Sequence, residues 1–156
     1  MFVASSAYSF TGKLDREVYG QKPGGPQTSD AAWSQWLVYT DTKLMNILSA
    51  NAFAKHLASK DVRVTSFCPG NVASGFQSRM PRSTFVHFIE KVSDSFGRTP
   101  LQGATRGLSL LTSKTHEKTT GKYIDPYFPT PLSSEVTEDN ADWLWNKSNE
   151  LLGISN

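Results

Sequence analysis

Apolar and polar positions alternate along the chain in blocks that predict a strand, a long helix and a second strand. The apolar run at residues 2–4 leads into polar residues, so a buried strand is predicted over residues 2–6, and a second strand is predicted over residues 62–68, before a Pro-Gly turn. Between them lies an apolar stripe with helical period, made of Trp33, Trp36, Leu37, Leu44, Ile47, Leu48 and Leu57. Ser29 and Asp30 are candidate caps for this helix. Strand, helix and strand in this order predict a βαβ unit with parallel strands.

The remaining blocks complete an α/β pattern. Residues 101–113 and 138–152 are predicted helices, residues 122–124 are a short last strand, and the proline-rich residues 126–137 are a surface linker. Residues 11–30 are rich in glycine and proline, so we expect a turn-rich insertion between the first strand and the long helix. The apolar stripe of the long helix is either core packing or a subunit interface.

Candidate chemistry lies inside the long helix, where Tyr39 and Lys43 are four residues apart. This spacing places both side chains on one helix face. An ammonium beside a phenol stabilises the phenolate, so Lys43 is predicted to lower the pKa of Tyr39 from its usual value of about 10. The spacing is also compatible with an exposed lysine one turn after a half-buried tyrosine. Ser5 and Ser6, at the end of the first strand, favour the catalytic interpretation.

Composition and charge exclude several classes of function. The 156 residues carry a formal net charge of +2 with the charges scattered, so nucleic-acid binding is not predicted. No run approaches ~18 apolar residues, so we expect neither a membrane span nor a signal peptide in this chain. The single cysteine, Cys68, is expected to be buried and cannot form an internal disulfide. His56, His87 and His116 lack metal-type spacing, so no metal site is predicted.

Three motifs in register resemble the short-chain dehydrogenase/reductase family. They are the VASS strand end, the YTDTK helix and the PGNVAS loop, and the segment YTDTKLMNILSANAFAKHL is similar to the retinol-dehydrogenase-like branch, which includes the WW-domain-containing oxidoreductase. The resemblance covers nearly the whole chain. It implies the second half of a Rossmann-type, doubly wound parallel sheet.

The resemblance also implies a role for each matching residue. Ser6 would donate a hydrogen bond to the substrate oxygen, with Ser5 as its neighbour and alternative. Tyr39 would be the general acid or base, and Lys43 would hydrogen-bond the nicotinamide ribose. The cofactor loop would consist of Pro69, Gly70, Val72 and Ser74 beside the nicotinamide. In the family, residues 77–95 form a lid over the substrate, although an ordinary amphipathic surface helix explains that pattern equally well.

The family's Gly-rich phosphate turn, G-x-x-x-G-x-G, does not occur in this sequence. We therefore expect residues 1–156 to be one partial domain that lacks the amino-terminal nucleotide-binding half. The implied cofactor is NADP or NAD, with NADP favoured by the branch.

Two functions follow as alternatives. The first is an NAD(P)-dependent oxidoreductase that interconverts an apolar carbonyl and its alcohol, of the retinoid, steroid or lipid aldehyde class, and is impaired by truncation. The second is a non-catalytic fragment or interaction module. We expect a cytoplasmic protein, membrane-associated in a full-length relative, that could form a homo-oligomer through the long helix.

Overall fold

A computed structural model describes residues 1–19, 35–73, 91, 97–126 and 133–154. Contacts divide the chain into two compact units. The first unit consists of Met1–Cys68 and Thr119–Asn156, and the second consists of Pro69–Lys118. The single partial domain expected for residues 1–156 stays a prediction.

The first unit contains a parallel three-stranded sheet. Strands β1 (Phe2–Val3), β2 (Thr65–Phe67) and β3 (Lys122–Ile124) lie in the order β1-β2-β3. In the β1–β2 pair Phe2 lies opposite Ser66, and in the β2–β3 pair Ser66 lies opposite Tyr123. The prediction of parallel neighbouring strands and an α/β fold is therefore confirmed. Both predicted strands are longer than the observed ones.

The ends of the strands are set by local hydrogen bonds. Before β2, the backbone of Val64 bonds outside the ladder, to the Thr120 hydroxyl at 3.1 Å and to the Gly121 N–H at 2.7 Å. After β1, the chain turns at once into a 3-10 helix, Ser6–Phe10. Ser6 therefore opens a helical turn and does not end a strand.

Helix α2 (Gln35–His56) packs on the sheet through its apolar face. Leu44, Ile47 and Leu48 are fully buried and belong to one core cluster with Ala4 and Cys68. Burying three such side chains contributes roughly 1.5–3 kcal/mol each. The predicted stripe is confirmed there, but Leu37 is 46% exposed. The predicted caps Ser29 and Asp30 lie outside the described residues.

The last helix, α4 (Glu138–Leu152), has the bounds that the sequence predicts. It begins because the Thr137 hydroxyl accepts a hydrogen bond from the Asn140 N–H, and it ends at Gly153, whose φ of 68° suits glycine. Trp145 of α4 packs edge-on against Phe53 of α2, with ring centroids 5.0 Å apart, and stacks on His56 at 4.1 Å. These aromatic contacts join α2 to α4.

A short segment between β1 and α2 is anchored at both ends. It contains helix α1 (Arg16–Tyr19), whose first N–H groups bond to the Asp15 carboxylate. Arg16 donates to the Asn140 side chain at 2.9 Å, and the Tyr19 hydroxyl donates to the Asp41 carboxylate at 2.7 Å. The turn-rich insertion predicted for residues 11–30 is described up to residue 19, where it contains α1, and the rest of it lies outside the described residues.

The second unit is built on helix α3 (Pro100–Thr112). Thr99 and Gln102 form a capping box at its start, with Pro100 in its first turn. Its buried face consists of Gly103, Gly107 and Leu110, whereas the apolar face traced by Leu101, Leu108 and Leu111 is exposed. Apart from Lys91, the region predicted as a lid or surface helix, residues 77–95, is outside the described part of the chain. No helix in the described ranges is both long and apolar enough to cross a bilayer.

Candidate active site

The candidate site lies at the carboxyl ends of the strands in the first unit. In parallel sheets these ends share one edge, where ligands of open α/β folds bind. Ser5 and Ser6 follow β1, Cys68 follows β2, and Tyr39 and Lys43 come from α2. These five residues bring two hydroxyls, a thiol, a phenol and an ammonium to one region.

Ser5 contacts Tyr39 directly. Its hydroxyl accepts a hydrogen bond from the Ala7 N–H at 3.2 Å, which makes Ser5 the N-cap of the 3-10 helix Ser6–Phe10. The same side chain hydrogen-bonds the Tyr39 hydroxyl. A donor aimed at the phenol oxygen favours the phenolate and lowers the pKa of Tyr39.

Ser6 faces Cys68. The Cys68 thiol donates to the Ser6 hydroxyl at a sulfur–oxygen distance of 3.9 Å, and Cys68 interacts electrostatically with Tyr39. Ser6 therefore contacts a neighbour of Tyr39, whereas Ser5 contacts Tyr39 itself. Which of the two serines binds the substrate oxygen stays a prediction, with Ser6 assigned by resemblance.

Lys43 lies over the ring of Tyr39. Its Nζ atom is 5.3 Å from the ring centroid, within the range of a cation–π contact. The side chain is half-buried, and its ammonium has no hydrogen-bond acceptor among the described residues. The i, i+4 pairing of Tyr39 with Lys43 that the sequence predicts is therefore present. The N–H donors of the Lys43 ammonium have no partner among the described residues.

The predicted lowering of the Tyr39 pKa is wrong in this structure. Burial raises the pKa of Tyr39 above its usual value, the hydrogen bond with Ser5 lowers it, and Cys68 raises it further. Burial has the largest effect because a phenolate loses its hydration in the interior. Lys43 is positioned over the ring face and is not among the causes of the shift. At neutral pH the phenol is protonated, which suits a proton donor.

Sequence reasoning missed two contributors to this arrangement. Cys68 was expected to be a small buried residue, and it is buried at 2% exposure, but it also contacts Ser6. Its position immediately before the Pro-Gly turn was the available signal. Asn46, one turn after Lys43, donates to the Val3 carbonyl at 3.0 Å, and no sequence pattern singled it out.

The predicted cofactor loop begins the second unit. Gly70 has a φ of 88°, which only glycine adopts easily, and Val72 forms a parallel bridge with Arg98. A Cβ atom on Gly103 of α3 would lie 2.7 Å from a Val72 methyl carbon and 3.8 Å from the Pro69 Cβ. The loop thus packs against α3 at Gly103, where the helix presents no side chain. Ser74 lies outside the described residues.

An open cavity of about 650 Å³ lies elsewhere in the first unit, lined by residues 13–16, 134, 135, 137, 139 and 140. None of the predicted site residues lines it. Its lining includes Glu135, which accepts hydrogen bonds from the Leu14 N–H and from Asn140. It is therefore not the candidate active site. Within the described part of the chain, no group of His, Cys, Asp or Glu residues could hold a metal ion.

The chain is similar to several known dehydrogenases. Retinol dehydrogenase 12 of Homo sapiens is 29% identical over 136 residues, which cover 86% of this chain and 42% of that protein. Retinol dehydrogenase 11 of Homo sapiens is 30% identical over 120 residues, covering 76% of this chain and 36% of that protein. A short chain dehydrogenase of Arthrobotrys oligospora is 31% identical over 119 residues, covering 73% and 36%. No family model matches.

These relatives are longer than this chain. The chain spans between 36 and 42% of their length, so the similarity concerns a part of each relative. In this chain the part that matches contains a βαβ unit with a Tyr-Lys pair on its helix and two serines after its first strand. The chain belongs to the short-chain dehydrogenase/reductase family, in its retinol-dehydrogenase-like branch.

Proposed function

We propose that this chain carries the acid–base site of an NAD(P)-dependent oxidoreductase that interconverts an apolar carbonyl compound and its alcohol. The observation that carries the proposal is the Tyr39–Ser5 hydrogen bond beside the Lys43 ammonium. A phenol held by a hydroxyl donor, next to a lysine without a described acceptor, is suited to proton transfer with a bound carbonyl or alcohol oxygen.

The residues present fit the nicotinamide ribose of the proposed cofactor. The half-buried Lys43 ammonium needs acceptors, and ribose hydroxyls supply them. Tyr39 would hold a second hydrogen bond to the same sugar. Pro69, Gly70, Val72 and Ser74 remain proposed contacts to the nicotinamide, and NADP remains favoured over NAD. When bound, the nicotinamide exchanges a hydride with the substrate carbon.

The direction of proton transfer follows from the protonation of Tyr39. Because burial raises the pKa of Tyr39, its hydroxyl keeps a proton at neutral pH and gives it to the carbonyl oxygen during reduction. In the oxidation direction the phenolate is needed to take the alcohol proton. Reduction should therefore be favoured at neutral pH, and oxidation should accelerate as the pH becomes alkaline.

The substrate class and the assembly are further proposals. The names of the relatives include retinol, which supports a retinoid or another apolar substrate for this site.

Leu37 and Phe53 of α2 are 46% and 38% exposed, which supports the long helix as a contact between subunits. Analytical ultracentrifugation of the chain and of Leu37→Ser would test this contact, because a dimer formed through the long helix should weaken in the variant.

The alternative is a non-catalytic fragment. It is favoured by one sequence observation, the absence of a G-x-x-x-G-x-G turn, since that turn holds the cofactor pyrophosphate. Without it the nicotinamide would lack the anchor that keeps it about 3–3.5 Å from the reacting carbon. We therefore propose that residues 1–156 alone turn over poorly.

The test measures nucleotide binding and turnover separately. NADPH and NADH are titrated calorimetrically into residues 1–156 and into the chain extended by upstream coding sequence, and a retinal-like aldehyde is then offered. We expect turnover that Tyr39→Phe abolishes, and weaker nucleotide binding in Lys43→Met but not in the control Lys55→Met. Turnover that survives Tyr39→Phe would refute the acid–base assignment. If neither version binds nucleotide, the oxidoreductase proposal is wrong and the non-catalytic alternative stands.

A further inference from the structure

Three residues on one face of α2 lie close to the segment that follows β1. Tyr39, Lys43 and Asn46 are spaced i, i+4 and i+7, which aligns them along the helix. One of them bonds to this segment and another to the last residue of β1. Tyr39 hydrogen-bonds the Ser5 side chain, and the Asn46 side-chain amide donates to the Val3 carbonyl at 3.0 Å.

The Val3 carbonyl points away from the neighbouring strand. The Ala4 N–H donates to the Phe67 carbonyl of β2 at 2.8 Å, and successive residues of a strand direct their backbone groups to opposite sides. Val3 therefore presents its carbonyl at the outer edge of β1, where no described strand pairs with it. Asn46 supplies the donor that this edge carbonyl requires.

Apolar packing alone does not fix the position of α2 along β1. Leu44, Ile47 and Leu48 bury the helix against the sheet, but such contacts are non-directional. A hydrogen bond between a side chain and one particular carbonyl is directional. The Asn46–Val3 bond therefore defines where the segment of Ser5 lies relative to Tyr39.

We propose that Asn46 is a positioning residue of the Ser–Tyr–Lys site, because its amide holds the end of β1 in the place that lets Ser5 reach Tyr39. This inference rests on the proposed function, which gives the site its purpose. Asn46 acts through Val3 and Ser5 and touches neither substrate nor cofactor.

The test replaces Asn46 by leucine, which has a similar size and no donor. Asn51→Leu is the matched control, since Asn51 is also half-buried on α2 and its side chain has no hydrogen-bond partner among the described residues. The ionisation of Tyr39 is followed by NMR of labelled tyrosine ring carbons, with Tyr39→Phe to identify its signal. Asn46→Gln, which keeps the donor, should restore the original titration.

We expect Asn46→Leu to shift the Tyr39 titration to higher pH, in the same direction as Ser5→Ala, while Asn51→Leu leaves it unchanged. In a Ser5→Ala background, Asn46→Leu should add no further shift, because its effect passes through that hydrogen bond. If Asn46→Leu lowers the melting temperature without moving the titration, Asn46 is only a structural residue and the proposal is wrong. An additive shift in the Ser5→Ala background would also overturn it.

Asn46→Ala gives the same comparison if the leucine variant does not fold. The titration needs neither cofactor nor turnover, so its outcome is independent of the catalytic experiment. A chain that binds no nucleotide could still show the predicted shift, and an active chain could fail to show it.

Discussion

The Tyr39 hydroxyl hydrogen-bonds the side chain of Ser5, the first serine of the pair that follows β1. Ser5 is also the N-cap of the next helical turn, so its hydroxyl is held by the Ala7 N–H. A single residue thus starts the helical turn that follows β1 and contacts the candidate acid–base group. The second serine, Ser6, contacts Cys68 instead.

This arrangement predicts different effects for the two serines. Ser5→Ala removes a contact that lowers the pKa of Tyr39, so the Tyr39 titration should move to higher pH. Loss of the N-cap should also cost about 1 kcal/mol of unfolding free energy. Ser6→Ala should leave the titration in place, and Ser5→Thr should restore it. Tyrosinate absorbance against pH, with Tyr39→Phe subtracted, measures the effect; equal shifts in both alanine variants would contradict it.

Gly103 of α3 should not tolerate a side chain. In an open helix position, alanine would stabilise the protein by about 0.5–1 kcal/mol over glycine. Here the new Cβ atom would lie 2.7 Å from a Val72 methyl carbon, so we expect Gly103→Ala to destabilise the chain by about 1–3 kcal/mol.

Val72→Ala provides the matched test, because it removes the methyl carbons that the Gly103 Cβ would meet. In that background Gly103→Ala should cost much less, and urea unfolding of the four proteins measures the coupling. A coupling energy near zero would show that the close approach has no energetic consequence.

Tyr19 should make the protein sensitive to alkali. Burial and then the hydrogen bond to Asp41 raise its pKa well above the usual value of about 10. Above about pH 10, Tyr19 loses its phenol proton in the unfolded chain but keeps it in the folded protein. Folding stability therefore falls as the pH rises. Below pH 10 this contribution is fully present.

Tyr19→Phe should therefore have a flatter stability profile above pH 10 than the original protein. At pH 7 the variant should lose about 1 kcal/mol, since the bond to Asp41 is absent. Thermal unfolding at a series of pH values measures both effects. A parallel loss of stability in the two proteins above pH 10 would show that Tyr19 is not responsible.

Asn140 should be costly to replace. Its side chain is 5% exposed, donates to the Glu135 carbonyl at 2.9 Å and accepts from Arg16 at 2.9 Å. Asn140→Ala leaves buried partners unsatisfied, so we expect a loss of about 2–3 kcal/mol. Asn146→Ala, an exposed position on the same helix, should change stability by less than about 0.5 kcal/mol. Chemical denaturation compares them, and similar losses would contradict the role of the buried amide.

Local patterns in the sequence determined the elements of the fold. The bounds of α4 could be predicted because Thr137 and Gly153 cap the helix through their own neighbours. The parallel order of β1 and β2 followed from two apolar runs around a helical stripe, which a βαβ unit explains. The pairing of Tyr39 with Lys43 followed from helix geometry alone. The family resemblance rested on the same residues.

The tertiary structure decided what the site residues do to one another. The choice between Ser5 and Ser6 depends on how the chain turns after β1, and the sequence pattern is the same for both. The direction of the Tyr39 pKa shift depends on burial beneath other elements, which outweighs the effect expected from a lysine one turn away. The contact of Asn46 with Val3 joins residues that are distant in sequence, so only the packed helix and strand could bring it about.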